Sequence, residues 1–248
     1  MEKITSVNNN LIIKILKYKD RKVQFKEQKY LVEGLNIVRE ALKYHLVDTI
    51  LVTKKTINEF REYDNVIEIS DNVANKLSDL KTSQEVFAIC NMKTQFIEKS
   101  NVLILDDIQD PGNLGTILRS AIAFDFKNII CSKNSVSVYN SKVLRAAQGN
   151  HFKLNIEYVD LDKTIRNLKE QNYLLISTSL SKENNFDKSQ VAKKQHLALV
   201  LGNEGSGIKQ SIVDICDKNF LLETNKEVES LNIAVAGSII MFKLSNEN

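Results

Sequence analysis

The stretch DDIQDPGNLGTILRSA, Asp106 to Ala121, holds the only proline of a 248-residue chain. Soluble proteins carry about 5 % proline, so a sequence this depleted keeps Pro111 where the backbone must be fixed. Ahead of it, residues 102–105 form an apolar strand that gives way to Asp106 and Asp107. Behind it, Leu114, Ile117, Leu118, Ala121 and Ile122 fall on one helical stripe. The stretch is a strand-to-helix turn, and Asn113 is the expected N-cap, because its side-chain oxygen can accept an orphan amide of the first helical turn. Pro111 stiffens the approach, and Gly112 and Gly115 keep it narrow. Arg119, about 100° round the helix from Leu118, lies on the flank of the buried stripe and can reach back over the strand end.

The same alternation extends downstream. Strands are expected in NVLILDD, NIICS, FKLNIEYV, YLLISTS, LALVLG and FLLE, interleaved with helices in LGTILRSAIAF, NSKVLRAAQG, DKTIRNLKEQN, IKQSIVDI and SLNIAVAGSIIMFKL. Strands alternating with helices predict a largely parallel sheet covered on both faces, and such sheets bind ligands at the carboxyl ends of their strands. Upstream, LIIKILKY and LVEGLNIVREALKY read as helices, the latter with Leu35, Val38, Ala41 and Leu42 on one stripe. TILVT, VIEIS and VFAIC read as strands, with DNVANKLSDL as a helix before the last. This gives a small α/β unit ending near Asn91, a polar linker MKTQFIEKS, and a larger α/β domain. The expected division is residues 1–96 and 97–248.

Composition excludes several classes. At 43 % hydrophobic residues the chain can build cores, yet no stretch approaches the roughly 18 uninterrupted apolar residues of a membrane span. MEKITSVNNN lacks the basic start and apolar run of a secretory signal, so a cytoplasmic location is expected. Cys90, Cys131 and Cys216 form no C-x-x-C pair, and His45, His151 and His196 lack ligand spacing, so reduced thiols and no metal are expected. The net charge of +3 is uneven: residues 1–30 hold eight lysines and arginines against three acids, leaving the remainder net negative. A basic segment is the footprint of phosphate contacts, with Lys14, Lys19, Arg21 and Lys22 as candidate RNA-binding residues. A solvated lysine-rich face is the competing reading.

Two further windows stand out. In LALVLGNEGSGI, Leu197 to Ile208, a strand runs straight into Gly202, Gly205 and Gly207, so that the backbone can approach a ligand and amides can line a concave nest. The G-x-x-G-x-G spacing is not the dinucleotide fingerprint, and no G-K-[ST] is present, which argues against a nucleotide-binding ATPase. In ESLNIAVAGSIIMFKL, Glu229 to Leu244, Ser230 is the expected N-cap and Leu231, Ala234, Val235, Ser238, Ile239 and Phe242 form a helical stripe. The small residues Ala234, Ala236, Gly237 and Ser238 permit close approach of another backbone. Taken singly, either window is also explained by an ordinary turn or by helix packing.

The ordered trio N-x-G-x-x-x-R, L-G-N-E-G-x-G and S-L-N-x-A-x-A resembles the SpoU (TrmH) family of RNA ribose 2′-O-methyltransferases, within the SPOUT class. The segment from KYLVEGLNIVREAL onward resembles that family's small N-terminal substrate-binding domain, an L30e-like α/β fold, and YNSKVLRAAQGNHFKL its linking helix and strand. The resemblance implies a C-terminal parallel-sheet α/β domain with a deep trefoil knot, a homodimer packed through the knot, and S-adenosylmethionine as cofactor. It implies an RNA partner, with ribosomal RNA, 23S above all, favoured over transfer RNA, because tRNA members more often carry short terminal extensions than a separate N-terminal domain. A tRNA methyltransferase and a catalytically silent RNA-binding protein remain as alternatives. The intact motif residues argue against silence.

Carried over position by position, the resemblance puts Asn113 and Arg119 at the reacting ribose, with Glu204 and Asn232 nearby. Gly202, Leu222 and Leu231 hold the cofactor largely through backbone groups, with Leu201, Asn203 and Ser230 adjacent and Thr178 as a further contact. Family members usually have a proline after the position of Leu222; here it is Glu223. The family assigns the motif arginine a general-base role, yet a guanidinium is effectively never deprotonated in proteins. Two roles for Arg119 therefore stand: a base whose pKa the substrate lowers, and, the preferred one, a clamp on the neighbouring phosphate that also stabilises the developing alkoxide.

Overall fold

The structure, a computed structural model, describes residues 2–93, 100–178, 186, 195–225, 227 and 230–245. These divide into two compact units, residues 1–93 with 139–152, and residues 94–138 with 153–248. Most of the expected linker, and the expected boundary between residues 96 and 97, lie outside the described residues.

In the first unit the chain runs through β1 (Glu2–Ile4), α1 (Asn10–Lys17), α2 (Arg21–Glu27), β2 (Lys29–Glu33), α3 (Leu35–Lys43), β3 (Val47–Val52), β4 (Val66–Ile69), α4 (Asp71–Leu77) and β5 (Val86–Asn91). The sheet order is β1-β4-β3-β5-β2, with β5 antiparallel to both its neighbours. Asn9 and Asp20 cap α1 and α2 by accepting the Leu11 and Val23 amides at 2.8 and 3.1 Å. Their apolar faces, with Ile12 and Ile15 fully buried, close over Leu51, Ile69, Val73 and Phe87.

The expected single helix over residues 31–44 is corrected. Residues 29–33 are β2, and the helix begins only at Leu35. Tyr30, Leu31 and Val32 are buried in the antiparallel ladder to β5, so the strand has no polar face to give an alternating pattern. Gly34, at φ +120°, makes a break that L side chains rarely adopt.

His151 is packed in this unit at 4 % exposure. Its Nε2 lies 3.1 Å from Tyr30 Oη, and its Nδ1 has no partner among the described residues. Burial pushes its pKa down to about 3. The ring is therefore neutral when folded and accepts a proton near pH 6.5 when unfolded, so stability is full above about pH 6.5 and falls as pH drops toward the folded value. Between pH 7 and pH 5 this group is expected to remove about 2 kcal/mol, at about 1.4 kcal/mol per unit below the unfolded pKa. Urea unfolding at both pH values checks it: His151→Leu should shrink the pH 7-to-5 difference by that amount, and an unchanged difference would contradict the assignment.

In the second unit the elements are β6 (Val102–Leu105), α5 (Pro111–Ala123) and β7 (Asn128–Ser132); after α6 (Ser141–Ala147), which clusters with the first unit, follow β8 (Asn155–Val159), α7 (Leu161–Glu170), β9 (Leu174–Ser177), β10 (Leu197–Leu201), α8 (Gln210–Val213), β11 (Lys218–Asn219) and α9 (Ile233–Ser245). The six-stranded sheet has the order β11-β9-β10-β6-β7-β8, and every pairing is parallel. Its central strands β6 and β10 are fully buried, which is why their sequences are continuous apolar runs.

Two expectations are corrected here. The strand expected in FLLE is confined to Lys218–Asn219; Phe220 donates its amide to Ser177 O at 2.7 Å, and the ladder stops where β9 stops. In α9 the buried residues are Ala234, Gly237, Ile240, Met241 and Leu244, whereas Val235 and Phe242 of the expected stripe are about half exposed at 48 % and 50 %. The helix is apolar nearly all round, so its sequence carries no clear phase.

Candidate active site

The carboxyl ends of β6 and β10 are adjacent in the sheet, and both lead into turns. After β6, Asp110 rather than Asn113 is the N-cap of α5: its Oδ1 accepts the Asn113 amide at 2.7 Å, and Pro111 occupies the first helical position. There a proline loses nothing, because its absent N–H is one of the orphan donors, and its fixed φ suits the helix. This explains the lone proline and corrects the expected cap. Asn113, in the first turn, has its side chain free for tertiary work.

That side chain joins all three windows. Asn232 Nδ2 donates to Asn113 Oδ1 at 2.9 Å, and Asn113 Nδ2 donates to Glu204 Oε1 at 3.0 Å. Glu204, acceptor only when ionised, fixes which way the Asn113 amide faces. Asn232 is fixed in turn, since its Oδ1 accepts the Ala234 and Val235 amides at 2.9 and 3.3 Å. Asn232 thus performs the capping of α9 expected of Ser230. Packing reinforces the link between the helices: Ser238 donates to Ala234 O at 2.6 Å, leaving its oxygen to accept from Ser120 of α5, also at 2.6 Å. Arg119 is exposed on α5 and makes no hydrogen bond or ion pair among the described residues.

The turn after β10 folds back on itself. Asn203 and Gly207 exchange backbone hydrogen bonds at 2.9 and 3.0 Å. Asn203 Oδ1 also accepts the Gly205 and Ser206 amides, and its Nδ2 donates to Asp107 O at 2.8 Å. Asn203 therefore spends its oxygen inside the turn and its amide nitrogen on Asp107. Gly202 is buried, and a Cβ there would overlap Gly207 C and Ile208 N. Gly237 lets α9 approach β10: a Cβ on it would stand 2.6 Å from Leu201 Cδ1. Thr178, following β9, donates to Val200 O at 3.0 Å.

Among the described residues, the backbone amides and carbonyls of Gly202, Leu222 and Leu231 make no hydrogen bond. Gly202, buried at the head of an exposed glycine-containing turn, and backbone groups with no hydrogen bond among the described residues suit a polar, flexible cofactor such as S-adenosylmethionine. Cys90 and Cys216 offer no ready thiolate, since burial raises Cys90 far above its ordinary value and pushes Cys216 up to about 12. No group of residues with metal-binding arrangement occurs among the described residues. Nor is any helix there long and apolar enough to cross a membrane.

Asp106, Asp107, Ser132 and Lys209, none of them among the site residues expected from the sequence, tie these turns together. Lys209 donates from its amide to Asp106 Oδ2 at 3.0 Å, and its Nζ reaches Asp106 Oδ1 at 3.1 Å and Asp107 Oδ2 at 3.3 Å. The only local signal was a pair of acids leaving one strand and a lysine closing the turn after its neighbour.

The model of the SpoU rRNA Methylase family matches residues 100–242. The chain is a member of the SpoU rRNA methylase family. A second family model, the MRM3-like substrate binding domain, matches residues 9–88. Within the SpoU family the chain is 29 % identical to a 23S rRNA (guanosine-2′-O)-methyltransferase, RlmP, of Bacillus subtilis, over 98 % of this chain and 99 % of that one. Among solved structures, an S-adenosylmethionine-bound rRNA methyltransferase from Sinorhizobium meliloti superposes with a TM-score of 0.86 at 22 % identity, covering 98 % of this chain and 97 % of that one. The SpoU methyltransferase AviRb from Streptomyces viridochromogenes, also bound to that cofactor, gives 0.83 at 21 %, covering 96 % and 97 %. The likeness in fold thus extends over both units.

Proposed function

We propose that this chain transfers a methyl group from S-adenosylmethionine to a ribose 2′-hydroxyl of ribosomal RNA, 23S rRNA in the first place, and acts in the cytoplasm. The observation that carries the reading is the hydrogen-bond chain Asn232–Asn113–Glu204, assembled from three distant windows at the carboxyl ends of β6 and β10. The full-length similarity to RlmP supports the RNA class.

The cofactor, when bound, would supply an electrophilic sulfonium methyl that the ribose oxygen can take as the S–CH3 bond breaks to a neutral thioether, the hydroxyl proton passing to solvent water. The backbone groups of Gly202, Leu222 and Leu231 hold it, with Leu201, Asn203, Ser230 and Thr178 shaping the walls. Glu204 and Asn113 retain acceptor capacity for ribose hydroxyls, and Arg119 brings a guanidinium with no partner among the described residues for the adjacent phosphate and the developing negative charge. Holding both reactants in line is the main requirement, since well-oriented pairs reach effective molarities of about 10⁵ to 10⁸ M.

In this reading residues 1–96 select RNA and 97–248 carry the chemistry, with the C-terminal helix threaded as a trefoil knot. Leu231, Val235 and Phe242, each more than a third exposed on this chain, are the face expected to pack against a second copy in a homodimer. The test is methylation of 23S rRNA and of bulk tRNA with labelled S-adenosylmethionine, followed by mapping of 2′-O-methyl sites. Label in tRNA alone would move the substrate to that class, and cofactor binding without transfer to either RNA would favour a silent binder.

The basic segment makes its own prediction. Lys14 and Lys22 are exposed and have no ion pair among the described residues, whereas Lys19 is bound to Asp79 at 2.7 Å and the Arg21 guanidinium sits over the Phe25 ring. Replacing Lys14 or Lys22 by Ala should lower the slope of log affinity against log salt for RNA by about 0.7 to 0.9 each. Lys19→Ala should change it less, because its ammonium is already shared. Equal slopes in all three variants and the parent would remove this segment from the RNA interface.

A further inference from the structure

We infer that Asp106, Asp107 and Lys209 form a clasp that sets the conformation of the cofactor turn, with Lys209 as a positioning residue for cofactor affinity. The inference rests on the proposed function for its cofactor arm only. The turn from Asn203 to Lys209 is fastened at both ends to one dipeptide. At its start Asn203 Nδ2 donates to Asp107 O at 2.8 Å; at its end the Lys209 amide and ammonium both donate to Asp106, at 3.0 and 3.1 Å.

The dipeptide is itself held rigidly. Asp106 is 1 % exposed, and its amide donates to Leu201 O at 2.9 Å. Asp107 stands in the left-handed region at φ +57°. There Ser132, at the end of β7, donates to its Oδ1 at 2.6 Å and accepts its amide at 2.9 Å. The carboxyl ends of β6, β7 and β10 are thus joined through one lysine and two carboxylates. Asp106 and Asp107 also lead directly to the Asp110 cap, and so to Asn113 and Arg119 on α5. The clasp is thus followed in the chain by the Asp110 cap, which with Pro111 sets where α5 begins.

A buried carboxylate paired with a lysine contributes little net stability compared with an apolar substitute, but losing one partner strands the other, and its best-attested use is to select one arrangement among several. Burial works against the Lys209 charge, but Asp106 and Asp107 outweigh it and raise its pKa. Likewise burial opposes ionisation of Asp107, while Ser132 and Lys209 hold its carboxyl below the ordinary range. Both groups are charged at neutral pH, as the clasp requires.

The test uses the full chain and the variants Lys209→Met and Lys209→Arg. Hydrogen exchange without cofactor reads the turn itself: in Lys209→Met the amides of Asn203, Gly205, Ser206 and Gly207 should exchange at least about tenfold faster, a loss of about 1.4 kcal/mol of local protection. Titration calorimetry and kinetics read the consequence. Lys209→Met should raise Kd and KM for S-adenosylmethionine by about tenfold or more, with kcat at saturation within about threefold, and Lys209→Arg should recover most of the affinity. Unchanged exchange in Lys209→Met overturns the clasp. Faster exchange with unchanged Kd and KM overturns its positioning role, and a parallel fall in thermal stability alone would assign it to the fold. A parent chain that binds no S-adenosylmethionine refutes the proposed function, while the exchange measurement still decides the clasp.

Discussion

Gly202→Ala is expected to weaken S-adenosylmethionine binding by more than about 100-fold, roughly 2.7 kcal/mol, while the chain remains folded. The single methyl group has nowhere to go: it would overlap Gly207 C and Ile208 N and stand 2.5 Å from Gly207 O. All three are backbone atoms, so no rotamer change relieves the overlap. The turn must open, and the Asn203–Gly207 pair of hydrogen bonds is the first casualty. β10 itself is insulated, because Leu197–Leu201 stay laddered to β6 and β9 on either side. Gly205→Ala is the matched control. A Cβ there meets only Asn203 Oδ1, at an ordinary 3.6 Å, and affinity should hold within about threefold. Calorimetry of the two variants beside circular dichroism decides the matter, and parental affinity in Gly202→Ala would take the turn out of the cofactor site.

Legibility in the sequence followed the range of the interaction. The parallel sheet was readable because each central strand is a short apolar run bounded by turn chemistry, two of the three windows because they fall at the ends of β6 and β10, and the third because of its small residues at the start of a helix. Asn113 was misplaced as a cap because both it and Asp110 are good capping residues; the proline at the first helical position favours Asp110. The consequence is functional, since Asn113 spends its side chain not on the cap but on bridging Glu204 and Asn232. In α9 the misreading has the opposite source. Apolar residues on every side leave periodicity without a phase, and only packing against Leu201 and α5 selects the buried face. The clasp was invisible, because it joins Asp106 to Lys209 across 103 positions through side chains that any surface could carry. Tyr30 and His151 are likewise paired across 121 positions, with no local sign that the histidine would be buried.

Arg119→Ala is expected to lower kcat by about 10² to 10³ or more, the usual cost of removing a donor that stabilises developing charge, and to leave the cofactor Kd within about twofold. The separation follows from where Arg119 lies: on the exposed face of α5, with no partner among the described residues to be orphaned by its removal. Arg119→Lys distinguishes the two roles left by the chemistry. A clamp that grips a phosphate with two parallel N–H donors depends on the planar fork, which an ammonium lacks. Lysine should then recover no more than about a tenth of the lost rate, with kcat flat across neutral pH. A base behaves differently, because lysine, with an ordinary pKa of about 10.4, deprotonates far more readily than arginine. Under that mechanism the lysine variant should gain rate steadily as pH rises and approach the parent in alkaline solution. A rising profile would transfer the proton to residue 119, and a flat, low one would leave Arg119 as the clamp.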